Sequence, residues 1–233
     1  MKRGSPLPAG IDAIHAARAA RPRPLLLRPA AKAALFIACL LPFAWLVRGA
    51  VLTTLGSNVL GANPAEALIR ATGDWTLRFL CITLAVTPLR QLAAQPALQR
   101  FRRMLGLFTF FYACTHFLCY AWLDMGFALN DIVRDIAKRP FILVGSSALL
   151  LMSPLALTAF NRAIKALGPA RWQAMHRAIY AVALLGLLHF FWMRSAKRNF
   201  AEVAVYAAII ALLLGWRVMT KLRRSRRLRA GAG

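Results

Sequence analysis

The chain has 233 residues, 60% of them hydrophobic, and a mean hydropathy of +0.56, more apolar side chain than one soluble core of this size needs. Its 31 Lys and Arg outnumber 7 Asp and Glu, for a formal net charge of +24. These cations lie between apolar runs rather than along one face, which argues against nucleic acid and for a chain threaded repeatedly through a bilayer.

Residues 1–32 are rich in Arg, Pro and Ala and read as a disordered basic arm. The apolar segment after them begins too far along, and runs too long, for the short core of a cleavable signal peptide. His15 lies in this arm and reads as a solvated side chain.

Six apolar runs follow, each long enough to cross about 30 Å of hydrocarbon. They cover residues 33–50, 74–91, 104–123, 140–160, 173–193 and 201–219. The first is short between Lys32 and Arg48 and the second carries Arg78, so both require long cationic side chains snorkelling to the headgroups. Pro42, Pro88 and Pro154 predict kinks, because neighbouring helices can satisfy the carbonyls that proline frees.

Between the third and fourth runs, residues 124–139 place Ile132, Val133 and Ile136 at helical spacing among charges, the pattern of a short helix lying on the membrane surface. KLRRSRRLR, residues 221–229, closes the chain as a topology signal, with contact to anionic lipid as the alternative. The organisation is thus an arm (1–32), an all-α integral membrane bundle of six helices (33–220) and a basic tail (221–233). The cations of the arm, of the second and fourth loops and of the tail fall on one side. Glu66, Asp74, Asp124, Asp131, Asp135 and Glu202 fall on the other, so both termini are expected in the cytoplasm.

Three histidines, His116, His176 and His189, sit in or at the edge of spans. An ionisable ring in hydrocarbon is costly and functional by default, and neutral imidazole is a leading ligand for haem iron. His116 lies 13 residues beyond Arg103 and His189 lies 12 beyond Arg177. At about 1.5 Å per residue both stand roughly 18 to 20 Å from the cationic boundary, on antiparallel neighbours able to grip one iron from opposite sides.

On a continuous helix, His176 stands about 20 Å from His189 and some 140° away in azimuth, a poor arrangement for two equivalent haems. One b-type haem with two histidine ligands is the economical reading. Ala113 and Gly186, each three residues before a histidine, leave room for a macrocycle edge, with Tyr112, Phe117, Tyr120, Phe190, Phe191 and Trp192 as aromatic walls.

Cys39, Cys81, Cys114 and Cys119 fall inside spans and form no C-x-x-C, so they read as small apolar residues. There is no G-x-G-x-x-G, P-loop or paired-carboxylate constellation. A proton-coupled transporter using intramembrane histidines is the non-redox alternative, weakened by the scarcity of deep charges and the lack of internal repeats.

The segments LLPFAWLV, LGANP, RRMLGLFTFFYACTHFLCYAW and RWQAMHRAIYAVALLGLLHFFW resemble the MsrQ (YedZ) family, the haem-binding subunits of the periplasmic methionine sulfoxide reductase system. The resemblance spans roughly residues 33–220 and includes the spacing of all three histidines. It implies a ferric-reductase-like domain in the bacterial inner membrane, carrying haem b and associated with flavin mononucleotide (FMN), whose site no residue here locates. Electrons would come from the quinol pool or a cytosolic flavin reductase and go to a periplasmic molybdopterin enzyme that reduces methionine sulfoxide in oxidised proteins.

By this likeness His116 is the span-three ligand, while His176 and His189 both match span-five positions. Depth favours His189 as the partner. His176 stands as the alternative ligand, a propionate contact, or part of an inner-face electron-input site with Arg171, Trp172 and Arg177. A ferric reductase or cytochrome-b-like oxidoreductase with another outer-face acceptor is the other redox reading.

Overall fold

The computed structural model describes residues 29–195 and 200–230. The arm through residue 28, including His15, and residues 231–233 of the tail lie outside the described residues. Every regular element among the described residues is helical.

Helix α1 (Pro29–Thr54) starts on a proline, whose missing N–H costs nothing in the first turn. Helix α2 (Pro64–Leu92) begins ten residues before the apolar run it contains, and its start is explained by LGANP: the Asn63 side chain accepts from the Glu66 N–H and Pro64 opens the first turn. A short 3-10 turn (Pro96–Leu98) leads into α3 (Gln99–Cys119), which widens into a π turn at Tyr120–Asp124. Then come α4 (Leu129–Lys138), α5 (Pro140–Leu157), α6 (Asn161–Leu167), α7 (Pro169–His176), α8 (Ile179–Ser195) and α9 (Ala201–Ala230).

Five segments among the described residues are long and apolar enough to cross a membrane: α1, α3 with its flanking turns, α5, α7 with α8, and α9. The sixth, α2, has the length, at 29 residues, but carries Glu66, Arg70, Asp74, Arg78 and Arg90. Several of these charges are engaged within the protein. Glu66 pairs with Arg70, Asp74 with Arg194, and Arg78 lies over the Trp75 ring while its Nε reaches the Tyr206 hydroxyl at 3.4 Å. Arg78 therefore finds partners on α2 and α9, where the sequence suggested a side chain stretched to the headgroups.

Two apolar clusters hold the bundle. One joins Leu77, Leu80 and Leu84 of α2 to Ala113, Met152, Val182, Ala183, Phe190 and Ile210 from four other helices. The other packs Cys39 of α1 against Phe79, Phe101, Phe108 and Tyr112. Tyr112 has no exposed surface, and its hydroxyl is spliced into the α1 ladder: it accepts from the Phe43 N–H at 3.0 Å and donates to the Cys39 carbonyl at 2.9 Å, beside Pro42. An inserted side chain next to a proline is a physical cause of a helix kink. Leu41, Leu150, Leu184 and Leu212 face outward, as befits helices solvated by lipid.

One expectation changes, and two elements gain detail. The run at 173–193 is not one continuous helix, because the ladder tightens at Arg177–Ala178: Arg177, Ala178 and Tyr180 donate to the carbonyls three residues back, at Ala174, Met175 and Arg177. The rotation from His176 to His189 along an ideal helix therefore does not describe their relation. The surface helix exists as α4, with Ile132 buried, but Val133 is 65% exposed and lies off the inward stripe. The basic tail continues α9 through Ala230.

Candidate functional site

His116 projects from α3 toward α2. Its Nδ1 meets the Ile69 carbonyl at 2.8 Å, with the Thr72 hydroxyl at 3.4 Å. His189 projects from α8 toward α5, where its Nδ1 meets the Phe141 carbonyl at 2.6 Å. A carbonyl can only accept, so each Nδ1 carries the proton and donates it. Each neutral ring then keeps its lone pair on Nε2, the tautomer that a metal ligand requires.

The two rings belong together. Their centres are 6.1 Å apart and their planes cross at 75°. Two metal–imidazole bonds of about 2 Å, plus the reach from each nitrogen to its ring centre, separate a pair of axial imidazoles by roughly 6 Å. The donor set and the spacing therefore fit a haem iron.

Glycine makes both approaches possible. A Cβ on Gly73 would stand 3.1 Å from His116 Cε1, and one on Gly145 would stand 2.7 Å from His189 Nδ1. Neither glycine was singled out from sequence. The available signal was a glycine inside an apolar run, which in membrane helices marks close approach. A Cβ on Gly186, in contrast, would meet only Leu80 of α2, at an ordinary contact distance of 3.8 Å, and neither histidine.

The structure does not bring His176 into this pair. It ends α7, stacks on Trp172 with ring centres 3.8 Å apart, and its Nδ1 meets the Trp172 carbonyl at 3.0 Å. Trp172 is itself fixed by its indole N–H, which donates to the Thr158 carbonyl at 3.0 Å. Cys39 and Cys81 are buried in different apolar clusters, away from any group of metal-ligating side chains among the described residues.

A lattice of charges closes the bundle beyond His189. Arg194, five residues along α8, pairs with Glu202 of α9 at 2.6 Å and with Asp74 of α2 at 3.7 Å. The surface helix α4 is tied down where the Tyr120 hydroxyl donates to Asp135 at 2.8 Å and Arg139 pairs with the same carboxylate at 2.9 Å. Phe141, whose carbonyl holds His189, follows directly after Arg139 and Pro140. A groove of about 500 Å³ between α2 and α9, lined by Asp74, Trp75, Arg78 and Tyr206 among others, contains none of the three histidines.

The comparisons with known proteins agree with this architecture. The family described as ferric reductase like transmembrane component matches residues 72–187, an interval containing His116 and His176, with His189 two residues beyond its end. The chain is 65% identical over 202 residues to the protein-methionine-sulfoxide reductase heme-binding subunit MsrQ of Polaromonas naphthalenivorans, covering 87% of this chain and 90% of that one. It is 50% identical to the MsrQ of Herminiimonas arsenicoxydans over the same shares, and 48% identical to that of Bordetella pertussis over 83% of this chain and 91% of the relative. No solved structure matches the chain. Likeness at that level, over nearly the whole of each relative, makes this a multi-pass membrane protein that belongs to the MsrQ family of protein-methionine-sulfoxide reductase heme-binding subunits.

Proposed function

We propose that the protein holds one b-type haem through Nε2 of His116 and Nε2 of His189 and serves as a membrane electron-transfer subunit. The observation that carries this reading is the facing pair of rings, 6.1 Å apart, with each Nδ1 bonded to a backbone carbonyl. When bound, such a haem would supply one-electron transfer, and iron held by two imidazoles of the chain would suit electron passage better than oxygen activation.

The chain's own contribution is rigidity and dryness. Backbone carbonyls on α2 and α5 fix both ring tautomers without a charged partner, and the apolar cluster around Leu77, Leu80, Val182 and Phe190 keeps water from the space beside the rings. His176, stacked on Trp172 near Arg102, belongs to an electron-input face rather than to the iron.

Electrons enter from membrane quinol or a cytosolic flavin reductase, with FMN as an associated cofactor. They leave to a periplasmic molybdopterin enzyme that reduces methionine sulfoxide in oxidised proteins. The names of the relatives support the reductase partnership, and the distribution of cations supports an inner-membrane protein with both termini in the cytoplasm. The ferric-reductase likeness of residues 72–187 favours, as a second reading, an outer-face acceptor other than that enzyme.

The test is an absorption spectrum of detergent-purified protein, oxidised and then reduced, after expression with ample haem. A b-type spectrum at one haem per chain, lost on His116→Ala, is the expected result. A colourless preparation overturns the proposal. Reduction of the purified periplasmic partner by the pre-reduced protein distinguishes the two acceptor readings.

A further inference from the structure

The bundle end opposite the acidic residues contains partly buried cationic groups with no ion pair among the described residues. Arg217 of α9 donates from Nη2 to the Leu84 carbonyl of α2 at 2.7 Å and lies 5.4 Å from the centre of the Tyr180 ring of α8. Its Nη1 is buried without a hydrogen-bond partner. Thr87 Oγ1, one turn along α2 from Leu84, is likewise buried and unpartnered. Arg102, near the start of α3, is close enough to repel the charge of both Arg217 and His176.

Four helices thus bring two guanidiniums, a histidine and a free hydroxyl to one place. The ion pairs among the described residues involve Glu66, Asp74, Asp135 and Glu202, and none of these reaches Arg102 or Arg217. Partly buried guanidiniums within electrostatic reach of one another and without an anion are costly, and within a membrane helix such groups mark a ligand or a pathway.

The geometry points to a phosphate-binding site built from Arg217, Thr87 and Arg102. Phosphate matches the unused groups: the free edge of Arg217 and the nearby Arg102 supply charge-assisted donors for its oxygens, and the Thr87 hydroxyl supplies a further donor. The surrounding aromatic surface, Tyr180 with the Trp172–His176 stack beyond, suits an amphipathic carrier of that phosphate. FMN and an anionic phospholipid headgroup both present this chemistry. The site shares no residue with the His116–His189 pair, so it stands or falls independently of haem ligation.

The test compares the full-length purified chain with Arg217→Leu, Arg217→Lys and Thr87→Val. Binding of FMN is followed by flavin fluorescence, with riboflavin as the phosphate-free control and inorganic phosphate as competitor. Native mass spectrometry of nanodiscs containing phosphatidylglycerol or phosphatidylcholine reads retained lipid. Arg217→Leu is expected to weaken phosphate-dependent binding by about tenfold or more, with the haem spectrum unchanged and riboflavin unaffected.

If FMN affinity falls, the source is the flavin; if retained phosphatidylglycerol falls, the source is the lipid. Should Arg217→Leu fail to fold, Arg217→Lys keeps the charge without the fork and Thr87→Val keeps the shape without the donor, and each should weaken the same binding severalfold. Equal binding of FMN, phosphate and phosphatidylglycerol by wild type and variants overturns the proposal. So does equal loss of riboflavin, which would mean a ring site, or loss of haem, which would put a propionate at Arg217.

Discussion

Gly145 lies so close beneath His189 that a Cβ on it would stand 2.7 Å from Nδ1 and 2.9 Å from Cε1. Four residues earlier on the same helix, the Phe141 carbonyl accepts from that same nitrogen. The pattern repeats at the other ring, where Gly73 underlies His116 and the Ile69 carbonyl, again four residues earlier, accepts from Nδ1. In an α-helix the residues i and i+4 share one ladder bond, so a glycine at i+4 bares the side of the carbonyl at i. Each histidine uses that opening to rest on backbone, and its orientation is set by main chain rather than by a carboxylate.

The first prediction follows from the two clearances. Gly145→Ala forces a methyl into the His189 ring against a backbone-held neighbour, and haem content is expected to fall by most of its wild-type value. Gly73→Ala meets His116 at 3.1 to 3.2 Å, which a shift of a few tenths of an ångström relieves, so its loss should be smaller. The ratio of haem absorbance to protein, measured after identical purification, checks both. Full haem retention by Gly145→Ala would show that the ring is not held where the structure places it.

Substitution of the histidines themselves should divide them two against one. His116→Ala and His189→Ala each remove one of the two rings proposed to hold the haem iron, and at least one of the two should abolish the reduced haem band outright. His176→Ala removes a ring that stacks on Trp172 and leaves the facing pair intact, so the band should persist at wild-type intensity. A spectrum lost on His176→Ala and kept on His189→Ala would exchange their roles.

Hydrophobic run length and histidine depth were enough to anticipate the bundle and the facing pair, because membrane spans and intramembrane ionisable groups are both written in residue type. The acceptors for Nδ1 were not legible: a backbone carbonyl has no letter in the sequence, and Ile69 and Phe141 look like any apolar residues. The start of α2 was readable only from LGANP and not from hydropathy, since Glu66, Arg70 and Asp74 mask the helix. The break after His176 involves no proline or glycine at Arg177–Ala178, so nothing local signals it. Arg217 reads from sequence as one cation of a basic tail, and only packing shows that one edge of it is buried and unpartnered.

Tyr112→Phe should destabilise the protein without touching the rings. The hydroxyl bridges the Phe43 N–H and the Cys39 carbonyl, and removing it strands both unless α1 straightens past Pro42 to remake its own bond. A lost buried hydrogen bond costs about 1 to 3 kcal/mol when its partners stay unsatisfied. A lower midpoint of thermal unfolding in detergent, with haem still bound at moderate temperature, is the expected outcome. An unchanged midpoint would mean that α1 repairs its ladder without cost.

Arg194 joins three helices, and its removal should act on the bundle more than removal of either partner. Glu202 is half exposed, so its bond to Arg194 is screened and worth on the order of 1 kcal/mol or less despite the 2.6 Å contact. Asp74 is better shielded, but Arg78 and Arg70 also lie near enough to attract its charge, so it does not depend on Arg194 alone. Arg194 also covers the Phe190 ring at 5.1 Å, and Phe190 packs in the core beside His189. Arg194→Ala therefore removes two ion pairs and a cation–π contact at once, and it should lower the thermal midpoint more than Glu202→Ala. Arg194→Met, which restores the packing over Phe190 without the charge, should recover part of the loss. The residual deficit should shrink in high salt, which weakens the wild-type ion pairs and leaves the variant unaffected. If Arg194→Ala and Glu202→Ala unfold at the same temperature, the link from α8 to α2 contributes nothing.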